Sequence, residues 1–195
     1  MKKLFRFQKI WIAAAVLLSF AIFESCHKDV PPTGEPGDLL GTPYDPTPYT
    51  IVKPAHFPEV PVPADNPMTL QGVQLGRMLF YDPLLSADST MSCSSCHLPS
   101  GSFTDNKAVS KGIDGISGRR SAMSLINVAY ANKGLFWDGR AATLEDQALK
   151  PVEDVVEMHH TWASVVEKLK THPTYPVMFR QAFGIEDRDL ITKEL

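Results

Sequence analysis

Cysteine is scarce in this chain, with only three among 195 residues, at Cys26, Cys93 and Cys96. Three cysteines cannot build a disulfide framework, so the fold must rest on a hydrophobic core. Long apolar runs are also missing. The longest extends from Ile10 to Ile22, broken only by Ser19, and falls short of the roughly 20 residues that a helix needs to cross a bilayer. Nor is there a basic surplus: 19 Lys and Arg stand against 22 Asp and Glu, for a formal charge of −3. With no basic stretch after the first ten residues, an electrostatic nucleic-acid footprint is excluded. A composition that is 44% hydrophobic and 21% charged suits one globular domain with tails.

The N-terminus has the layout of an export signal. Lys2, Lys3, Arg6 and Lys9 form a positive region ahead of the apolar run, which reads as a secretory signal over residues 1–25, with an uncleaved anchor as the alternative. Phe23-Glu24-Ser25-Cys26 follows. A small residue directly before a cysteine resembles the lipobox of bacterial lipoproteins, although Glu24 departs from the usual small residue there. The expectation is a protein on the periplasmic side of the membrane, anchored through lipid on Cys26. The mature chain would be more acidic still, which suits a basic partner.

Residues 26–66 are dense in Pro, Gly, Asp and Thr. Proline removes backbone donors and penalises helix interiors, so this segment is expected to be a tether that wraps the core, pinned by Tyr44, Tyr49 and Phe57. The domain proper is expected over 67–195. Asn66-Pro67 offers a cap and first helical position, and Val73, Leu75, Met78 and Leu79 mark one apolar stripe of a helix from Met68 to near Phe80. Glycines and small polar residues over 99–120 predict a loop. Further helices are expected at about 121–131, from Thr143 to Leu149, at 161–170 and at 174–183. No strand ladder and no repeat is visible, so the class is mostly α.

The chemistry resides in Cys93-Ser94-Ser95-Cys96-His97. Two thiols three positions apart on one turn can form thioethers to the two vinyl groups of a haem, and the next histidine is then directed at the iron. A zinc site would need further ligands, for which His159 and His160 are the available candidates, and a disulfide between the two cysteines is the other alternative. Glu157, in the acidic stretch Glu153-Asp154-Val155-Val156-Glu157, could shuttle a proton above a haem if residues 150–160 fold over its open face; otherwise it is a solvated acid. Trp137 reads equally as core or as a ring held at a domain edge by Asp138-Gly139-Arg140. Arg140 could pair with a haem propionate or with Asp138. Met158 reads as packing, and His159 and His160 as surface or loop residues.

Several segments together resemble the bacterial di-haem cytochrome c peroxidase family, which includes the MauG-like proteins. They are Leu75–Ser86, Cys93–His97, Phe103-Thr104-Asp105, Gly118–Asn127, Phe136–Ala141, Leu144–Ala148, Val156-Glu157-Met158 and His172–Gly184, in family order. The resemblance implies a class I cytochrome c-like haem domain with long loops and a Pro-rich N-terminal segment. This would be the first, peroxide-reacting domain of two. It implies that Cys93 and Cys96 attach one covalent haem c, that His97 is the proximal iron ligand, and that Glu157 is the distal acid. It implies also that Trp137 lies between the two haems and that Asn127 contributes to an interdomain calcium site.

Two departures from the family accompany the match. Residues 98–127 contain no histidine, where many family members carry a distal one; Arg119 or Arg120 is then a candidate for that region. No second Cys-x-x-Cys-His follows, so the second family domain is expected to be absent, supplied by another haem domain or replaced by a homodimer. The expected activity is reduction of hydrogen peroxide to water with electrons from a small cytochrome c or cupredoxin. The alternative is a monohaem electron-transfer protein without peroxidase activity.

Overall fold

The computed structural model describes residues 37–195; the signal-like segment and the lipobox Cys26 lie outside the described residues. Four α-helices occur among them: α1 (Leu70–Tyr81), α2 (Leu144–Glu153), α3 (Trp162–Thr171) and α4 (Tyr175–Phe183). Single 3-10 turns and long loops join them, and extended backbone forms only isolated bridges. The class is mostly α and, among the described residues, free of sheet.

Helix α1 starts later than its apolar pattern suggests. Tyr49 N–H donates to the Met68 carbonyl at 2.9 Å and Leu70 N–H to the Thr47 carbonyl at 2.8 Å. This short pairing, a bridge between Pro48 and Thr69, holds Thr69 in extended geometry. Thr69 therefore becomes the cap instead of Asn66, its hydroxyl accepting from Gly72 N–H at 3.0 Å. The helix ends at Tyr81, and the Asp82 carboxylate accepts from Leu84 N–H at 2.8 Å to open the turn Pro83–Leu85.

Helix α2 is capped by Thr143, which accepts from Asp146 N–H at 3.1 Å, with Glu145 and Asp146 in the first turn. It runs past Leu149 to Glu153, and Pro151 lies in the last turns, where few intrahelical bonds are forfeited. Thr161 caps α3, and Gly184, at φ +75°, closes α4. The helix expected at 121–131 is reduced to the turn Val128–Tyr130. Asn127 there is left-handed (φ +58°), and the Ser124 hydroxyl donates to the Ser102 carbonyl at 2.6 Å, fastening this stretch to another loop.

Helix α4 packs on α1 and on α3. Leu75, Val152, Met158, Val165, Leu169, Tyr175, Phe179 and Ile191 form the buried core. Each large apolar side chain so buried stabilises the fold by about 1.5–3 kcal/mol. Around this core runs the segment from Gly37. Leu39 is buried and its N–H donates to the Glu186 carbonyl at 2.9 Å. Arg180 Nε donates to the Thr42 carbonyl at 3.1 Å, and the Tyr130 hydroxyl donates to the Pro58 carbonyl at 3.1 Å. Phe57 meets the Tyr130 ring edge-on at 6.0 Å.

Candidate functional site

The Cys93–His97 stretch closes on itself. Cys96 N–H and His97 N–H both donate to the Cys93 carbonyl, at 3.2 and 3.1 Å, and Ser92 N–H donates to the Ser95 hydroxyl at 3.1 Å. The result is a single 3-10 turn, Cys93–Ser95, which brings two thiols and an imidazole together within five residues. Both cysteines are free thiols, so the disulfide alternative is not what the structure contains. Burial pushes the Cys93 thiol up to about 11, with the charges of Cys96 and Glu157 adding to it. Burial also raises Cys96, helped by Asp105 and Glu157.

His97 is oriented by a backbone carbonyl. Its Nδ1 lies 3.0 Å from the Phe103 oxygen. A carbonyl only accepts, so the proton sits on Nδ1 and the Nε2 lone pair is left bare for a metal. Ser102 and Phe103 are both left-handed, at φ +59°. Gly101 lies so near Asn106 that a Cβ would stand 2.8 Å from its Nδ2. That tight turn delivers the carbonyl.

A cleft of about 500 Å³ lies beside His97, lined by Arg77, Phe80, Tyr81, Phe103, Leu125 and Ile126. The Phe80 and His97 ring centroids are 6.4 Å apart. On the Cys96 side, Asp105 Oδ2 and Ser110 Oγ are buried without a hydrogen-bond partner.

Glu157 is half-buried. Burial and the Asp154 charge raise its carboxyl above the usual range, and Arg140 opposes them. Its charge is one of those that raise the Cys93 and Cys96 thiols. Its chain segment is a knot of backbone bonds after α2: Glu157 N–H and His159 N–H both donate to the Asp154 carbonyl, at 2.9 and 3.0 Å, and His160 N–H donates to Val152 at 2.8 Å. Met158 is 3% exposed, within the core.

The remaining sequence candidates are distributed around this centre. Trp137 is 62% exposed, which excludes the core reading. The Leu135–Ala141 hairpin, made tight by left-handed Gly134 and Gly139, turns it outward, and its indole N–H donates to the Ser121 carbonyl at 2.9 Å. Arg140 stacks over the Phe136 ring at 3.5 Å and donates to Asp138 at 2.9 Å. Arg120 pairs with the other Asp138 oxygen at 2.8 Å; Arg119 is exposed. Together the arginines hold the Asp138 carboxyl down to about 2.

Asn127 is exposed, and its carbonyl accepts from Tyr130 N–H at 3.0 Å. Among the described residues no three His, Cys, Asp or Glu side chains converge as metal ligands. His159 Nδ1 lies 2.6 Å from Asp114 Oδ2, and His160 Nδ1 accepts from Thr161 N–H at 2.9 Å.

Reasoning from the sequence missed the Phe103 carbonyl, the Phe80 and Arg77 walls, and the Gly112–Asp114 stretch against Glu157. Arg77 and Phe80 carried a signal as members of the Leu75–Ser86 segment, and Phe103 as the first residue of Phe103-Thr104-Asp105.

Comparison with known proteins decides the family. The profile of the di-haem cytochrome c peroxidase family matches residues 70–195. The chain belongs to the di-haem cytochrome c peroxidase family. Among its relatives, the cytochrome-c peroxidase IdrP1 of Denitromonas iodatirespirans is 41% identical over 130 residues, covering 67% of this chain and 34% of the relative. The methylamine utilization protein MauG of Methylophilus methylotrophus is 38% identical over 125 residues, covering 64% and 37%. A solved MauG-like protein associated with microbial copper homeostasis superposes with a TM-score of 0.65 at 37% identity, over 70% of this chain and 40% of that one. The chain thus spans about a third of the length of these curated relatives.

Membership in the di-haem peroxidase family implies haem c, and the residues present fit it. Two free thiols are spaced for thioether bonds, an imidazole has a bare Nε2, and an apolar cleft adjoins it with Arg77 in its wall. The Ser110 hydroxyl faces the Cys96 thiol and offers a donor at that edge.

Proposed function

We propose that this chain is the peroxide-reacting domain of a cytochrome-c peroxidase, with a class I cytochrome c-like fold, carrying one haem c. It reduces hydrogen peroxide to water: one peroxide, two protons and two electrons give two waters. The observation that carries this reading is the Cys93–His97 turn, with two free thiols and an imidazole oriented by the Phe103 carbonyl, together with the half-buried carboxyl of Glu157, whose charge acts on both thiols.

Bound through Cys93, Cys96 and His97, haem c supplies the redox-active iron at which the oxygen–oxygen bond breaks. The chain's own residues do the rest. The Phe103 carbonyl keeps the His97 proton on Nδ1 and fixes the ring plane. The Glu157 carboxylate takes the proton from the near peroxide oxygen and returns it to the departing one. A carboxyl that holds its proton more tightly than usual is a better donor for that second transfer. Trp137, exposed but pinned at its indole N–H, presents an aromatic edge for electron entry. Arg140, held between Phe136 and Asp138, lends positive charge to the Glu157 side.

Electrons come from a small cytochrome c or cupredoxin, and the acidic balance of the chain favours a basic one. A second haem domain, or a second copy of the chain, packs at the Trp137 edge. Asn127 would contribute one oxygen ligand to a calcium site. Export to the periplasm and lipid attachment at Cys26 place the domain at a membrane surface.

The test is a spectrum of the haem-loaded chain before and after stoichiometric peroxide. Wild type should be oxidised rapidly, and Glu157→Gln about 10²- to 10⁴-fold more slowly. A six-coordinate low-spin spectrum that ignores peroxide would favour a monohaem electron carrier instead.

A further inference from the structure

The loop between the haem-attachment turn and Asn127 grips the Glu157 segment at three successive residues. Gly112 is pressed against it so closely that a Cβ would stand 2.0 Å from the Val156 carbonyl oxygen and 2.5 Å from that of Glu157. These are backbone atoms, which cannot swing aside as a side-chain tip can. Ile113 N–H donates to the Glu157 carbonyl at 3.0 Å. Asp114 Oδ2 lies 2.6 Å from His159 Nδ1, and His159 is left-handed at φ +47°. From the other side, Ala87 N–H donates to the Met158 carbonyl at 3.0 Å.

We propose that Gly112, Ile113 and Asp114 form a positioning clamp that sets where the Glu157 carboxyl stands over the haem site. The proposal rests on the reading of Glu157 as the proton-shuttling acid. None of the three touches the reacting atoms; they act through the backbone of 156–159. A proton shuttle must keep its oxygen within hydrogen-bond reach of two peroxide atoms in turn, and an ångström of drift can cost about 10²-fold in rate. Glu157 follows the end of α2 in an irregular segment, so its placement depends on what holds that backbone. Where that backbone stands also sets how far the carboxyl is buried and how strongly the Asp154 and Arg140 charges act on it.

The test uses the full chain loaded with haem, comparing wild type with Gly112→Ala, Asp114→Asn, Asp114→Glu and Glu157→Gln. Far-ultraviolet circular dichroism and the haem absorption band report folding. The readouts are the rate of peroxide oxidation as a function of pH and hydrogen exchange at the Ile113 amide.

The clamp predicts that Gly112→Ala reacts about 10- to 100-fold more slowly, with the acid-side midpoint of its rate profile lowered toward an ordinary carboxylate and the Ile113 amide exchanging faster. Asp114→Asn should show the same changes more weakly, and Asp114→Glu should restore part of the loss. A Gly112→Ala protein with wild-type rate and midpoint, beside a slow Glu157→Gln, would overturn the clamp. Should Gly112→Ala fail to take up haem, the exposed Asp114→Asn decides by the same measures. Should Glu157→Gln react like wild type, the assignment of Glu157 fails. The clamp is then judged by Ile113 exchange, which supports it if accelerated in Gly112→Ala and overturns it if unchanged.

Discussion

The Tyr175 hydroxyl donates to Asp82 Oδ2 at 2.6 Å, tying the first residue of α4 to the residue that ends α1. The other Asp82 oxygen accepts from Leu84 N–H, so one carboxylate both opens the turn that follows α1 and anchors α4. Tyr175 is fully buried, and burial together with Asp82 lifts its hydroxyl well above the usual range, so it stays a donor at any physiological pH. Tyr175→Phe removes the donor and leaves a part-buried oxygen unpaired. A loss of about 1–3 kcal/mol is expected in denaturant unfolding, with little change in the helical circular dichroism of the folded variant.

Glu157 links stability to pH in a sense opposite to most carboxylates. Its folded-state proton affinity is raised, so folding favours the protonated form. The resulting stability is fully present below the unfolded-state value and is lost as pH rises through the raised folded value. Haem-free Glu157→Gln should therefore melt higher than wild type near neutral pH. The two curves should converge as pH falls through the carboxylate range. A constant gap between them would contradict the cause assigned here.

Asp138 behaves the other way. Its carboxyl is held down to about 2 by hydrogen bonds from Arg120 first and Arg140 second. Carboxyl chemical shifts followed by NMR should give a wild-type midpoint near that value. Replacing either arginine with alanine should raise it toward the ordinary range, Arg120→Ala at least as far as Arg140→Ala. The contribution is present above the unfolded-state value and lost as pH falls toward the folded one. Because these side chains are exposed, added salt should shrink the effect.

The thiols offer a check on the haem-free chain. With Cys93 near 11 and Cys96 also raised, both should resist alkylation at mildly alkaline pH, Cys93 titrating at the higher pH. Glu157→Gln removes a charge that both thiols feel. It should quicken alkylation of both cysteines, read by mass spectrometry of the labelled peptides.

Local signals were legible in the sequence, and contacts between distant segments were not. Thr143 announces α2 because its cap is decided within one turn. The start of α1 is misread because Thr47 and Tyr49, far upstream, claim the backbone of residues 68–70. A helix at 121–131 fails for a similar reason, with Ser124 bound to Ser102 and Asn127 turned left-handed. At the site, Cys93, Cys96 and His97 declare themselves by spacing alone. Glu157 is identified by resemblance, since an acid among acids carries no periodicity. The Phe103 carbonyl and the bare Cα of Gly112 leave no trace in residue type, because main-chain oxygens exist everywhere and a glycine in a loop has many possible reasons.

The proline-rich strap from Gly37 to Pro58 has a mechanical consequence. It is bonded in turn to Arg188 and Glu186 near the C-terminus, to Arg180 in α4, to Gln71 in α1 and to Tyr130. A pull applied at Gly37 would meet these bonds directly. It would load the seam where α1 meets α4, and the first bonds to yield would be those at Gly37 and Leu39, well before tension reached the turn that carries His97.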